Sequence, residues 1–157
     1  MKKSSRTDLL NYIVFAELVG AVSALLSGGF SDFFDKYTKP PLLPPAWLFP
    51  VVWVVLYAVM GISAYLIHYS GEDEEAIKKA LVLYWVQLAV NFSWSIVFFR
   101  FEALWAAVAV VLALFALVCT MIFVFVRIRP VAGYINIPYA LWVGFASYLT
   151  IAIAVIN

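Results

Sequence analysis

Five apolar runs alternate with short polar breaks along the chain. They lie at about residues 9–27, 46–68, 80–99, 103–126 and 131–156. A helix needs about 20 apolar residues to cross a hydrocarbon core of about 30 Å. The pattern therefore predicts an all-α membrane protein, a five-transmembrane-helix bundle that occupies residues 1–157 as one domain. The longest break, 28–45, is rich in aromatic residues and proline. The break at 71–79, GEDEEAIKK, is solvated; its Glu74/Lys78 and Glu75/Lys79 pairs at i,i+4 suit the start of the next helix.

The first run begins after Lys2, Lys3 and Arg6 and ends at Ser27-Gly28-Gly29, which has the outline of a signal peptide. The run is longer than a usual signal core and Glu17 interrupts it, so a retained first transmembrane helix is expected. Gly20, Ser23, Ala24 and Ser27 give that helix a small-residue face for close packing. Glu17 is the one acidic residue inside any apolar run. A carboxylate at membrane depth is costly and should face protein or water. It is either a ligand or proton contact, or a hydrogen-bonded packing residue.

The stretch from Lys39 to Tyr57, KPPLLPPAWLFPVVWVVLY, holds five of the seven prolines and two of the six tryptophans. Pro40, Pro41, Pro44 and Pro45 cannot sit inside a helix. Pro44 or Pro45 suits the first turn of the second helix, and Pro50 should kink that helix or mark its true start. Phe30, Phe33, Phe34 and Tyr37 are more aromatics than a solvated loop needs. They make either a lid over the bundle mouth or an interfacial belt.

On the second helix, Trp53 and Tyr57 are four apart and share a face. On the third, Gln87, Asn91 and Trp94 fall at i, i+4 and i+7, placing two amides and an indole on one stripe. Uncompensated amides in hydrocarbon are costly, so the stripe should point into the bundle. Interhelical hydrogen bonding and ligand contact both account for it. The fourth helix is almost wholly apolar, with a packing stripe at Ala109, Ala113 and Ala116. In the fifth, Pro138 should free backbone carbonyls, and Tyr139, Trp142 and Ala146 share the face that follows.

Composition narrows the chemistry. Hydrophobic residues make up 66% and charged residues 12%, against about 25% charged in soluble domains. A formal net charge of +1 gives no basic excess for nucleic acid. The single cysteine, Cys119, is expected to be a buried small hydrophobe. His68, the only histidine, has no partner at ligand spacing and reads as an interface residue. No metal and no cofactor are expected. No Ser/His/Asp set, phosphate loop, CxxC or intramembrane carboxylate pair is visible. An aromatic, amide-bearing interior suits a flat apolar ligand with a few polar edges.

Counting Lys and Arg orients the chain. Lys2, Lys3, Arg6, Lys78, Lys79, Arg127 and Arg129 fall on one side, and Lys36, Lys39 and Arg100 on the other. The excess predicts a cytoplasmic N-terminus and an external Pro-rich loop.

KPPLLPP and the VVWVVLYAVMG beyond it resemble the KPxWxPP…(I/V)W…LY…MG signature of the TspO/MBR family of tryptophan-rich sensory proteins and translocator proteins (peripheral-type benzodiazepine receptors). QLAVNFSWSIVFF is similar to that family's QLxxNxxWSxxFF, and IPYALWVGFASYL to its xPYxxWxxFAxxLN. The resemblance runs from about Gly20 to Asn157, with Thr150 where many members have Asn. It implies a five-helix bundle, commonly a homodimer, in a bacterial cell membrane. It also implies tetrapyrrole ligands such as protoporphyrin IX and haem-like molecules, and isoquinoline-type drugs. The implied ligand-binding residues are Trp53, Tyr57, Gln87, Asn91, Trp94, Tyr139, Trp142 and Ala146. The implied lid carries Phe33, Phe34, Lys39, Pro40, Pro44 and Pro45. Animal members carry a cholesterol-binding extension beyond the position of Asn157, so sterol handling is not expected here. Three function classes stay open: a receptor or transporter for tetrapyrroles, an enzyme that degrades porphyrin in light and oxygen through Trp53 or Trp142, and a regulatory membrane scaffold.

Overall fold

In the computed structural model, residues 5–28 and 30–157 are described, apart from the side chains of Phe30 and Ser31. Lys2 and Lys3 of the charge count, Gly29 of the signal-like end and the Phe30 ring lie outside the described residues.

Among the described residues seven α-helices follow in order: α1 (Arg6–Ser27), α2 (Phe30–Lys36), α3 (Leu48–His68), α4 (Glu74–Ser95), α5 (Leu104–Ile128), α6 (Pro130–Tyr134) and α7 (Ile137–Ile156). Among the described residues five segments are long and apolar enough to cross a membrane. No strand occurs among the described residues. Local chemistry sets the ends. The Ser5 hydroxyl accepts from the Thr7 amide at 3.0 Å, and Gly28 leaves α1 at φ 85°. Asp73 accepts from the amides of Glu75 and Ala76. These are N-caps that satisfy the free donors of a first turn, and they start α4 ahead of the apolar boundary at 80.

Three details differ from the sequence reading. The 28–45 break contains the short helix α2. Pro44 and Pro45 precede the first turn of α3, and Pro50 sits inside that turn, so Pro50 marks the start. Pro138 lies in the first turn of α7, where its missing N–H costs nothing. The chain turns at Ile135 and Asn136 instead of kinking. Between α4 and α5 the last turn widens: the Phe101 amide reaches the Ile96 carbonyl at 3.0 Å, a π-type turn.

α1 packs on α3 and α4, α4 on α5, and α5 on α7. Ring contacts between Trp53 and Tyr139 and between Phe49 and Trp142 close α7 onto α3. Two glycines permit the α1–α3 contact. Gly20 lies against the Tyr57 ring, and Gly61 lies against the backbone of Tyr12 and Ile13. The Ser23 hydroxyl donates to the Phe92 carbonyl on α4 at 3.0 Å. Of the predicted small-residue face, Gly20, Ser23 and Ser27 are buried while Ala24 is exposed.

At the α1 N-terminal end, the Tyr12 hydroxyl and His68 Nδ1 are 2.8 Å apart, and Tyr69 donates to Asp8 at 2.8 Å. His68 thus ties α3 to α1 at this end of the bundle. Deeper, Asn136 Nδ2 donates to the Ser63 hydroxyl, which donates to the Ala132 carbonyl. This polar pair joins α3 to the α6–α7 turn.

Two expectations are corrected on α5. Cys119 is exposed, because it lies on the outward face opposite Val111, Leu114 and Val118, which fill the core. Ala109, Ala113 and Ala116 face outward as well.

Candidate functional site: a buried amide–tyrosine network under an aromatic lid

The α4 stripe points inward as its spacing requires. Gln87 and Asn91 are fully buried and Trp94 is 2% exposed. Tyr139, fully buried on α7, joins the two amides. Its hydroxyl accepts from Asn91 Nδ2 at 2.9 Å and donates to Gln87 Oε1 at 2.7 Å. A phenol is one donor and an acceptor, so a single hydroxyl serves both amides. Gln87 Nε2 meets the Met60 sulfur at 3.7 Å. The network spans α3, α4 and α7.

It is not fully satisfied. Asn91 Oδ1, Trp94 Nε1, Trp142 Nε1 and the Tyr84 hydroxyl are buried without a hydrogen-bond partner. Buried polar atoms are nearly always paired, and each exception calls for an explanation.

Aromatic rings surround these groups. The Trp53 ring centroid is 5.6 Å from Tyr57, 6.3 Å from Trp94 and 6.4 Å from Tyr139. At the α2 end, Phe33 and Phe34 are buried. Phe33 packs on Phe98 and Phe99 at 4.8 and 5.0 Å, and Phe34 on Phe49 at 5.2 Å. The rings form a plug over the interior. The segment that carries them is tied down from outside. Lys36 and Tyr37 both donate to the Glu102 carboxylate. They hold that carboxyl below the usual carboxylate range, Lys36 first, so the clamp stays ionic at neutral pH. Thr38 and Asn157 exchange two hydrogen bonds, and the Tyr148 hydroxyl donates to the Pro41 carbonyl at 2.9 Å.

The sequence-selected residues divide into groups. Trp53, Tyr57, Gln87, Asn91, Trp94 and Tyr139 form one contiguous cluster. Trp142 stands apart from the amides: it packs edge-on against Phe49 at 5.8 Å and lines a groove between α3 and α7 with Val52 and Phe145. Ala146 is buried. The Thr150 hydroxyl donates to the Ala146 carbonyl at 2.8 Å, so it is spent on its own helix. In the lid, Phe33, Phe34 and Pro40 are buried, whereas Lys39 and Pro45 are exposed. Lys39 pairs with Asp35 at 3.0 Å, and Pro44 is half-buried. Tyr84, Met60 and the Ser63–Asn136 pair were not singled out from sequence. For Ser63 and Asn136 the signal was present: two polar residues flanked by apolar runs.

One cavity adjoins the cluster. It measures about 240 Å³ and lies among α1, α3 and the end of α4, lined by Glu17, Gly20, Trp53, Tyr57 and Phe99. No group of three His, Cys, Asp or Glu side chains among the described residues is arranged to hold a metal ion.

The TspO/MBR family model matches residues 12–156, which takes in α1 from Tyr12 onward and every later helix. The chain belongs to the TspO/MBR family. Among its relatives, tryptophan-rich protein TspO of Chlorobaculum tepidum is 32% identical, over 81% of this chain and 80% of that protein. Protein CrtK of Rhodobacter capsulatus is 32% identical, over 93% and 90%. The human translocator protein is 34% identical, over 71% and 66%. As a TspO/MBR member with five membrane-spanning helices, the chain is an integral membrane protein. The amide–tyrosine cluster and the aromatic plug both lie inside the TspO/MBR match.

Proposed function

We propose that this chain is a membrane receptor or transporter that binds tetrapyrroles, such as protoporphyrin IX and haem-like molecules, in its Trp/Asn-lined interior, in a sensory or regulatory role. The observation that carries this reading is the pair of unpaired buried atoms Asn91 Oδ1 and Trp94 Nε1 among closely packed rings, with Trp142 Nε1 unpaired beyond them on the Phe49 side. A flat macrocycle offers π-faces to the rings and polar edges to those atoms. Relatives named tryptophan-rich sensory protein and translocator protein support the sensory or translocating role. A cavity of about 240 Å³ falls below the usual range of about 300–1,000 Å³ for drug-sized ligands. Binding therefore requires the Phe33/Phe34 plug to lift.

Titration with protoporphyrin IX, read by tryptophan quenching, tests this. Trp53→Phe or Trp142→Phe should weaken binding by less than about tenfold, because stacking beyond area burial is worth about 0.5–1.5 kcal/mol. Wild-type protein that neither quenches nor alters porphyrin bleaching would remove the tetrapyrrole reading and leave the regulatory scaffold. A second reading, photo-oxidative porphyrin degradation, draws on the Trp53 ring being within 6.4 Å of three other oxidisable rings. Under it, Trp→Phe leaves binding nearly intact and abolishes light-driven loss of the porphyrin band in air.

The proposal places the N-terminus in the cytoplasm of a bacterial cell. In a Cys119→Ser background, Lys36→Cys should react with an impermeant maleimide on intact cells and Glu74→Cys should not. The reverse pattern would invert the topology. A homodimer is part of the proposal, and the outward Ala109, Ala113 and Ala116 stripe suits close approach of a second copy. A two-copy band after crosslinking in native membranes is the expected result, and a single-copy band at saturating crosslinker would exclude it.

A further inference from the structure

The end of the bundle where α1 begins and α3 stops carries a polar cluster that the proposed function does not use. The Tyr12 hydroxyl lies 2.8 Å from His68 Nδ1, with the two rings 5.8 Å apart. A phenol is hard to oxidise alone, because the radical cation it leaves is a strong acid that must shed its proton. A base within hydrogen-bond distance takes that proton as the electron departs, and imidazole is the side chain suited to hold it near neutral pH. Two other interior phenols lack such a base. The Tyr84 hydroxyl is buried with no partner, and Tyr139 donates to the amide oxygen of Gln87. Tyr69 donates to Asp8, and a carboxylate is a weaker base than imidazole. Oxidisable rings lead from the interior to the pair. Trp53 is 5.6 Å from Tyr57 and Trp85 is 4.8 Å from Tyr84, and Tyr84 lies within electrostatic reach of both Tyr57 and Tyr12. His68 also lines an open polar cleft of about 740 Å³ with Ser70, Glu72 and Lys78, so solutes from water reach it.

We propose that Tyr12 and His68 form a proton-coupled redox site, the resting place of an electron hole formed on Trp53 or Trp85. A photoexcited aromatic pigment, or ultraviolet light alone, removes one electron from the indole. The tryptophan radical cation then regains an electron from Tyr12, passed through Tyr84. The Tyr12 O–H bond breaks and its proton passes to His68 Nδ1. A neutral phenoxyl radical and an imidazolium remain, with the same total charge as the radical cation they replace. A thiol in the cleft gives one electron to the phenoxyl and its own proton to water. His68 returns the first proton, and a thiyl radical leaves. Each turn restores the tryptophan and spares the interior rings from oxidation. The proposal does not rest on the tetrapyrrole reading, since light absorbed by tryptophan supplies the same hole.

The test uses the full chain in lipid nanodiscs. An ultraviolet flash ionises tryptophan, and radicals are trapped by rapid freezing and read by electron paramagnetic resonance. Wild-type protein should give a tyrosyl radical, identified by the collapse of its hyperfine splitting in protein made with ring-deuterated tyrosine. Tyr12→Phe and His68→Gln should lose most of that signal, while Tyr69→Phe keeps it. In heavy water the wild-type radical should show a coupled exchangeable deuteron, the one handed to His68, a readout that needs no variant. Tyr84→Phe removes a buried hydroxyl that has no partner, so it should melt no lower than wild type and still lose most of the Tyr12 signal. Cysteine in the buffer should shorten the lifetime of the wild-type radical. Bound protoporphyrin IX under visible light should give the same radical. Its absence in that arm alone would count against a tetrapyrrole in the interior and leave the Tyr12–His68 site supported by the flash. No tyrosyl signal in wild type after the flash, or an undiminished signal in Tyr12→Phe or in Tyr84→Phe, would overturn the proposal.

Discussion

Gly61→Ala should destabilise the protein by about 2 kcal/mol or more and lower its melting temperature in detergent, although the change adds a single methyl group. A Cβ at Gly61 would lie 2.7 Å from the Ile13 Cα and 2.7 Å from the Tyr12 carbonyl oxygen. Both are backbone atoms of α1, so no side chain can rotate away, and the two helices must move apart. Overpacking of this kind costs about 1–3 kcal/mol. Small residues are what allow membrane helices to approach so closely, where packing rather than hydrophobicity holds them together. Separating α1 from α3 also removes the support that Gly20 gives the Tyr57 ring and widens the Glu17 cleft. Gly144→Ala is the control. Its Cβ would meet only the edge of the Phe115 ring at 3.3 Å, and that ring is partly exposed and able to shift. The helix propensity gained, about 1 kcal/mol, offsets the contact. Near-neutral behaviour at 144 beside a clear loss at 61 is expected. Equal effects at the two positions would mean that the α1–α3 contact is looser than described.

Tyr139→Phe should be the next most damaging. It removes one oxygen and strands two amides: Gln87 Oε1 loses its donor and Asn91 Nδ2 loses its acceptor. An unsatisfied buried polar group costs about 1–3 kcal/mol, whereas removing both partners can be nearly neutral. Adding Gln87→Leu to Tyr139→Phe should therefore recover part of the loss, a positive coupling readable in thermal denaturation. If Tyr139→Phe melts with wild type, the network does not hold α7 to α4.

Residue spacing made much of this interior legible. Gln87 and Asn91 in an apolar run can avoid hydrocarbon only by pointing inward, and both are fully buried. Trp53 and Tyr57, four apart, share one cluster for the same geometric reason. Spacing within one helix does not say which neighbour a face will meet. Trp142 is correctly placed on the Tyr139 side of α7, yet it meets Phe49 instead of the amides, because the Tyr139 ring already fills that space. Cys119 and the Ala109 stripe illustrate the limit on α5. In a run where every residue is apolar, hydrophobicity carries no information about which face turns inward, and the inward face is the one with Val111, Leu114 and Val118. α2 was hidden for a different reason. Seven residues give almost no periodic signal, and what fixes that segment is tertiary: Phe33 and Phe34 against Phe49, Phe98 and Phe99, and Lys36 and Tyr37 on Glu102. The Pro40–Leu43 turn is set likewise by its surroundings. Leu42 sits at φ 65°, a conformation a leucine rarely adopts, while Tyr148 holds the Pro41 carbonyl.

A structure of the full chain bound to protoporphyrin IX tests the central claim most directly. The account predicts the macrocycle inside the bundle, in contact with Trp53 and with polar atoms on Asn91, Trp94 or Trp142, and with Phe33 and Phe34 moved away from Phe99 and Phe49. A macrocycle on the lipid-facing surface, with the Phe33–Phe34–Phe49–Phe99 plug still closed, would contradict it.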